Sequence, residues 1–217
     1  MEDPNRERLD RPSILSSARD LPNLCSLLGL SSALLGIYYA LRGAFPAAMI
    51  GVLWAVFFDW SDGLIARRIP GRTQEQRAIG AQLDSLIDVV SFSVLPAVVL
   101  LSYGELSPWF VPGAFVILST GVMRLSHFNV FGLADKSTYT GLALDNNTIV
   151  LAFVFFFDGL VDRDTFTVIL YTTLMALAAM NVAPVRTPKL PGGWYYGLVV
   201  YVVVMTAVFG WRWTQSP

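Results

Sequence analysis

Four aspartates stand at the borders of two strongly apolar stretches, within the thirty residues from 59 to 88. They are Asp59, Asp62, Asp84 and Asp88. An ionised carboxylate at membrane depth is costly unless it is paired or bound to a cation. Four of them close together are therefore expected to serve a specific purpose, and their spacing indicates how they are arranged.

The first two aspartates belong to a pattern that repeats every four residues. Asp59, Gly63 and Arg67 share one face of a helix at this spacing, and Asp62 and Ala66 lie beside them. A glycine on such a face leaves room for a ligand or for a neighbouring backbone. The Arg67 guanidinium, one turn from Gly63, is suited to a phosphate oxygen.

The second pair of aspartates repeats the same interval on the following apolar stretch, through Gly80, Asp84 and Asp88. If the two helices pack antiparallel across the loop at 68–78, both acidic faces border one cleft. Carboxylate oxygens are the ligands that Mg²⁺ or Mn²⁺ prefers, commonly alongside substrate phosphates. One or two such ions could hold a pyrophosphate there, and Asp88, farthest along its helix, could take a proton from an attacking hydroxyl.

Two other interpretations of these acids stay open at this point. Carboxylates inside a membrane can form a cation-transport site. They can also be neutralised in structural ion pairs by the nearby Arg67, Arg68 and Arg77. Spacing alone does not decide among a phosphate-handling metal site, a transporter and a set of ion pairs.

Composition indicates what must position the acids. Of the 217 residues 54% are hydrophobic and 14% are charged, against about 25% charged in soluble domains. The apolar residues form blocks of about 20, the length of a membrane-spanning helix. We expect an all-α, polytopic integral membrane bundle with about seven spans, six to eight being possible. The predicted spans are 22–42, 46–67, 79–103, 108–130, 143–161, 163–184 and 192–213.

The predicted organisation is a cytoplasmic arm at 1–20 followed by one transmembrane catalytic domain at 21–217. Of the 15 lysine and arginine residues, 12 fall on the side of the N-terminus and only Arg42, Arg163 and Arg212 on the other. The positive-inside rule then predicts a cytoplasmic N-terminus and a site that faces the cytoplasm. No basic tract indicates a nucleic-acid partner. Five tryptophans near span ends are expected to be interfacial anchors: Trp60, Trp109, Trp194, Trp211 and Trp213.

The segment Asp59-x-x-Asp62-Gly63-x-x-Ala66-Arg67, followed by Gly80-x-x-x-Asp84-x-x-x-Asp88, resembles the signature of the CDP-alcohol phosphatidyltransferases. The resemblance implies a membrane enzyme that displaces CMP from a CDP-linked alcohol with a divalent metal, and it suggests a homodimer. It implies that all four aspartates lie at the metal and that Asp88 is the general base. It also implies a cytidine diphosphate pocket, formed by Asp62, Gly63, Ala66, Arg67, Gly80 and Asp84.

Within that family, residues 80–97 and 123–130 are most similar to phosphatidylserine synthases. The resemblance therefore implies CDP-diacylglycerol as donor, L-serine as acceptor and, in a bacterial-type cell, the inner membrane. The twelve-residue gap between Arg67 and Gly80 is instead similar to bacterial phosphatidylcholine synthases, so choline is the alternative acceptor. The residues expected to bind the acceptor are Arg124, His127, Asp145 and Asn147.

Overall fold

Helices make up most of the computed structural model, which describes residues 14–135, 138–188 and 192–215 and, of Ser16 and Ser17, the backbone only. The α-helices are α1 (Ile14–Ser17), α2 (Leu21–Leu41), α3 (Phe45–Arg68), α4 (Gln74–Val89), α5 (Leu95–Tyr103), α6 (Val111–Phe131), α7 (Asp145–Phe155), α8 (Arg163–Val182) and α9 (Trp194–Gln215). A π-helical turn (Val90–Val94) joins α4 to α5, and a 3-10 turn (Pro108–Phe110) precedes α6. Most of the predicted arm at 1–20 lies outside the described residues.

Six helices of the described part are long and apolar enough to cross a membrane: α2, α3, the continuous α4–α5, α6 with its 3-10 turn, α8 and α9. The predicted all-α, polytopic membrane bundle is thereby confirmed, with six helices of membrane length among the described residues. The predicted division into an arm and one catalytic domain stays a prediction.

The expected fifth span, 143–161, is a shorter helix. Helix α7 has 11 residues, Asp145–Phe155, about half of what a bilayer crossing needs. Polar residues at its start and the turn-forming sequence after Phe157 limit the helical stretch, and Gly141 (φ +73°) and Gly159 (φ +84°) adopt the left-handed backbone conformation on either side. The helix is thus shorter than the apolar stretch of sequence that contains it.

Although α7 is short, it connects the two ends of the bundle. Close to its start, the Gly141 amide donates to the Val185 carbonyl just beyond α8 (2.8 Å). After its end, Asp158 accepts a bond from the hydroxyl of Tyr103, the last residue of α5 (2.8 Å). Arg212 of α9 supplies donors to the free carbonyls there, including Phe156 at 2.8 Å.

Three arginines that the sequence assigns to one side of the membrane do lie at one end of the bundle. Arg212 bonds to the end of α7, and Arg163 bonds to the Tyr103 carbonyl (3.2 Å). Arg42 follows α2 beside Tyr38, whose neighbour Tyr39 packs edge-on against Trp213. We call this the Arg212 end; the opposite end, where α3 finishes, is the Arg68 end.

Close packing of α2 on α3 sets the position of α3, the helix that carries Asp59 and Asp62. A Cβ added to Gly51 would lie 2.6 Å from the Gly36 backbone nitrogen, so the glycine allows the two backbones to approach. Buried alanines of both helices, such as Ala33 and Ala48, continue this contact. At the Arg68 end Arg72, in the loop after α3, pairs with Asp20 just before α2 (2.6 Å). The N-terminal half of α2 is thereby held against the end of α3.

A small two-stranded sheet lies at the Arg68 end. Strand β1 (Thr138–Thr140) pairs antiparallel with β2 (Arg186–Pro188), with Tyr139 opposite Thr187. The Thr187 hydroxyl also donates to the Gly141 carbonyl (2.6 Å). These bonds tie the connection between α6 and α7 to the connection between α8 and α9, and the two connections together cover the cavity described next.

Candidate functional site

A cavity of about 620 Å³ opens at the Arg68 end, among α3, α4, α6, α7 and the start of α9. Helix α4, which supplies one acidic wall, begins with a capping box in which Thr73 and Gln76 exchange side-chain and backbone bonds. Within the described residues, the charged side chains that line the cavity are Asp59, Asp62, Arg67, Asp84, Asp88, Arg124 and Asp145. Seven of the residues predicted from the sequence therefore border one cavity, together with Gly63.

Three of the carboxylates form a compact cluster. Asp59, Asp84 and Asp88 each offer an oxygen, and these atoms all lie within 4.8 Å of one another. The Asp88 Oδ1 atom is buried and has no hydrogen-bond partner within the described residues. Three carboxylate oxygens converging in this way fit a hard divalent cation, which binds such oxygens directly. We call Asp59, Asp84 and Asp88 the carboxylate cluster.

Asp62 lines the same cavity but does not belong to the cluster. Its carboxylate accepts a hydrogen bond from the Ser26 hydroxyl of α2, and its side chain is buried. Of the four aspartates expected at the metal, the structure thus brings three together and attaches the fourth to α2. The packing of α2 on α3 is responsible, because it presents Ser26 to the side of α3 on which Asp62 lies.

The small residues of the signature have different surroundings. Gly63 borders the cavity, and the nearest atom to a Cβ added there would be an Arg67 nitrogen at 4.0 Å, so its face is open. Gly80 faces away from the cavity lining; a Cβ there would lie 2.9 Å from an Arg72 nitrogen and 3.0 Å from Asn23 Oδ1. Ala66 is half-buried and is also absent from the lining.

Arginines do not neutralise the acids in this structure. The two ion pairs within the described part of the chain are Arg72–Asp20 and Arg163–Glu105, and neither includes a cavity carboxylate. Arg67 is exposed at the cavity edge. The interpretation of the acids as structural ion pairs with Arg67, Arg68 or Arg77 therefore has no support in the geometry.

Arg124, on α6, is held with its guanidinium at the cavity. Its Nε donates to the Leu142 carbonyl (3.1 Å), and the group lies over the rings of Phe128 (5.2 Å) and Tyr139 (5.4 Å). Burial, followed by the nearby Asp145 carboxylate, raises the pKa of the Tyr139 phenol above its ordinary value, so that ring is neutral at pH 7. Arg124 itself is only 7% exposed, so it is a fixed, buried cation.

Asp145, the first residue of α7, is held on both carboxylate oxygens. The Trp60 indole nitrogen donates to Oδ2 (2.8 Å), and the Asn146 amide donates to Oδ1 (3.2 Å). A carboxylate in the first turn also interacts favourably with the helix dipole. The expected interfacial role of Trp60 is therefore wrong: its indole binds a carboxylate inside the cavity, whereas Trp109, Trp194, Trp211 and Trp213 are exposed.

The other two expected acceptor residues lie elsewhere. His127 is exposed and packs on the Phe131 ring (4.7 Å), outside the cavity lining. Asn147 is buried, and its amide donates to the Phe92 carbonyl (3.4 Å). Pro96, four residues after Phe92, has no N–H to bond that carbonyl. Asn147 thus supplies a side-chain donor to the π-helical turn that follows α4.

Sequence reasoning missed several residues that contact the site. Ser26 lies close to the start of the first predicted span, four residues after Pro22. Apart from that position, nothing in the surrounding sequence indicates a role at the site. Tyr139 comes from β1, and Tyr195, which lines the cavity and lies 3.0 Å from the Ser61 hydroxyl, comes from the start of α9. No local pattern marks them, because each reaches the site from a distant part of the chain.

Comparison with known proteins agrees with this geometry. Residues 19–209 match the family described as CDP-alcohol phosphatidyltransferase. Archaetidylserine synthase of Methanothermobacter thermautotrophicus is 32% identical over 174 residues, 79% of this chain and 71% of that protein. CDP-diacylglycerol–serine O-phosphatidyltransferases of Mycobacterium tuberculosis and Helicobacter pylori are 34% and 27% identical, over 57% and 64% of this chain.

These alignments span only 41% of the mycobacterial protein and 58% of the Helicobacter protein, less than two thirds of either. The family match nevertheless extends from just before α2 to the last turns of α9 and includes both halves of the acidic signature. The chain belongs to the CDP-alcohol phosphatidyltransferase family.

Proposed function

We propose that this chain is a membrane enzyme that transfers the phosphatidyl group of CDP-diacylglycerol to the hydroxyl of L-serine, yielding phosphatidylserine and CMP. The observation that carries the proposal is the cavity that contains both the carboxylate cluster and a separate pair of opposite charges, Arg124 and Asp145. The first group suits a metal-bound pyrophosphate, and the second suits an amino acid. Family membership and relatives named for serine transfer support the same chemistry.

The carboxylate cluster would hold one or two Mg²⁺ or Mn²⁺ ions. A bound divalent cation supplies neutralisation of the pyrophosphate charge and of the charge that develops on the departing CMP. Arg67, at the cavity edge beside the open face of Gly63, would bind a phosphate oxygen. Asp62, fixed by Ser26, would border the cytidine diphosphate, with Gly63 leaving room for it. Ala66 and Gly80 would contribute through helix packing near this pocket.

Asp88 is the proposed general base. It takes the proton from the serine hydroxyl, whose oxygen then attacks the phosphorus attached to diacylglycerol. A new phosphorus–oxygen bond forms, the bond to the CMP phosphate breaks, and CMP leaves with the electron pair. The Asp88 Oδ1 atom, buried and without a donor, is the oxygen available for that proton.

The acceptor would bind between Arg124 and Asp145. Neither residue takes part in an ion pair within the described residues, although both border the cavity. The guanidinium of Arg124 matches the serine carboxylate, and the carboxylate of Asp145 matches the ammonium group. His127 and Asn147 lie outside this arrangement, so we assign Asn147 to the support of the π-helical turn and propose no acceptor contact for His127.

Choline is the second candidate acceptor, and one observation favours it. Five aromatic side chains line the cavity with Asp145: Trp60, Phe92, Phe128, Tyr139 and Tyr195. Aromatic faces bind quaternary ammonium groups. Choline, however, offers no anion to Arg124, and leaving a buried cation without a partner is costly. This argument makes serine the first choice.

The experiment measures CMP release by purified protein from CDP-diacylglycerol, with Mg²⁺ or Mn²⁺ and with serine, choline, inositol or glycerol phosphate in turn. We expect metal-dependent release with serine, a decrease of at least 100-fold in Asp88→Asn, and wild-type rates in Asp164→Asn, which alters an exposed carboxylate. Ion flux into liposomes without CMP release would instead establish the transporter interpretation. Absence of release with every acceptor would overturn the proposal.

We further propose that the Arg68 end faces the cytoplasm and that the protein resides in a bacterial-type inner membrane as a homodimer. The concentration of basic residues toward that end in the sequence supports the orientation. Labelling of single cysteines introduced beside Arg68 and Arg212 in intact cells tests it. A reagent that does not cross the membrane should modify only the position beside Arg212.

A further inference from the structure

We infer that Trp60 is a positioning residue that holds Asp145 in place for the ammonium group of the acceptor. This inference rests on the proposed transfer to an amino alcohol and extends it to a residue outside the acidic pattern. Trp60 immediately follows Asp59 on α3, and its indole bonds to Asp145 on α7, 85 positions later in the chain. One helix thus carries a residue of the carboxylate cluster and the residue that orients the acceptor carboxylate.

The indole bond keeps Asp145 separate from the carboxylate cluster. Asp145 borders the same cavity as Asp59 and Asp88 but is not among the three residues whose oxygens converge within 4.8 Å. A carboxylate free to rotate at the start of α7 could swing toward a cation bound there and become a further ligand. The 2.8 Å bond from Trp60 to Oδ2 opposes that rotation.

The orientation leaves Asp145 able to accept another hydrogen bond. Trp60 uses one lone pair of Oδ2, and Asn146 uses one lone pair of Oδ1. A carboxylate has about four acceptor positions, so each oxygen retains one for an ammonium group. Phenylalanine at position 60 would preserve the ring and remove the donor. The bond can therefore be tested separately from the packing.

The test compares steady-state kinetics of wild type and Trp60→Phe with serine and with 3-hydroxypropanoate, which has the hydroxyl and the carboxylate of serine but no amino group. We expect Trp60→Phe to raise the KM for serine about tenfold, with kcat and the KM for CDP-diacylglycerol within about twofold. The low activity with 3-hydroxypropanoate should not change. Asp145→Asn should raise the serine KM similarly, and adding Trp60→Phe to it should have little further effect.

Two variants serve as controls. Trp54→Phe alters a tryptophan on the same helix that packs on Phe57 and Phe58 and lies outside the cavity lining; it should retain wild-type kinetics. Trp60→His retains a ring N–H and should recover part of the serine affinity, and it replaces Trp60→Phe if that protein does not fold. An unchanged serine KM, or an equal loss with both acceptors, would refute the positioning role.

The outcome also distinguishes this inference from the proposed function. Absence of CMP release by wild type with all acceptors refutes the function. Normal release with serine and an unchanged KM in Trp60→Phe refutes only the role of Trp60. Release restricted to acceptors without an amino or quaternary ammonium group likewise refutes the role of Asp145 and Trp60, while phosphatidyl transfer stands.

Discussion

The carboxylate cluster predicts that one neutralising substitution will stabilise the metal-free protein while it inactivates the enzyme. Oxygens of Asp59, Asp84 and Asp88 lie within 4.8 Å of one another. At an effective dielectric constant of about 20, two unit charges at that distance repel by about 3 kcal/mol. Asp84→Asn removes two of the three pairs. A proton retained by the cluster relieves part of the repulsion, so we expect a net gain of about 1–2 kcal/mol.

The assay is thermal unfolding of detergent-purified wild type and Asp84→Asn, each in chelator and in millimolar Mn²⁺. For a protein of this size 1 kcal/mol corresponds to about 2–4 °C, so the variant in chelator should melt about 2–8 °C above wild type. Mn²⁺ should raise the melting temperature of wild type, since a ligand that binds only the folded state stabilises it. The variant should lose most of that response and at least 100-fold in CMP release.

Asp164→Asn is the matched control, because it removes one carboxylate that is exposed at the start of α8. Its melting temperature should remain within about 2 °C of wild type, with an intact response to Mn²⁺. A variant Asp84→Asn that melts below wild type in chelator would show that the three carboxylates do not repel in the folded state. An undiminished Mn²⁺ response would show that Asp84 is not a ligand.

Two further predictions concern residues that support the site. Ser26→Ala removes the hydroxyl bonded to buried Asp62, which should cost about 1–3 kcal/mol in the free energy of unfolding and raise the KM for CDP-diacylglycerol. Ser26→Thr retains a hydroxyl and should behave like wild type. Equal melting temperatures of the two variants would contradict the role of this hydrogen bond. Arg212→Ala removes the donors at the end of α7 and should destabilise by about 1–3 kcal/mol, whereas Arg42→Ala at the same end should change the melting temperature by less than about 2 °C.

Several features of the site could be predicted because they depend on local repetition. Four-residue spacing places Asp59 and Gly63 on one face of α3, and Asp84 and Asp88 on one face of α4, whatever the helices pack against. The apolar blocks likewise predict membrane-length helices from composition. Within the predicted span 143–161 the helix covers only Asp145–Phe155, because the length of an apolar run does not reveal where a helix begins and ends.

Other features depend on which faces of distant helices meet. Asp62 belongs to the same sequence pattern as Asp59, but the contact of α2 with α3 brings it to Ser26, 36 positions earlier in the chain. His127 and Arg124 are one turn apart on α6, yet Arg124 contacts Tyr139 and Leu142, whereas His127 packs on Phe131. A side chain near the expected site in sequence can therefore lie outside it in space.

Local sequence patterns were enough to predict the membrane class, the family and four aspartates that border the cavity, because helical periodicity and hydrophobicity act over neighbouring residues. Tertiary contacts were needed to show that Asp62 lies apart from the cluster, that Asn147 supports the π-helical turn, and that Trp60 binds Asp145 across 85 positions. Each of these contacts joins segments far apart in the chain. Their geometry follows from helix packing, which no local pattern of residues records.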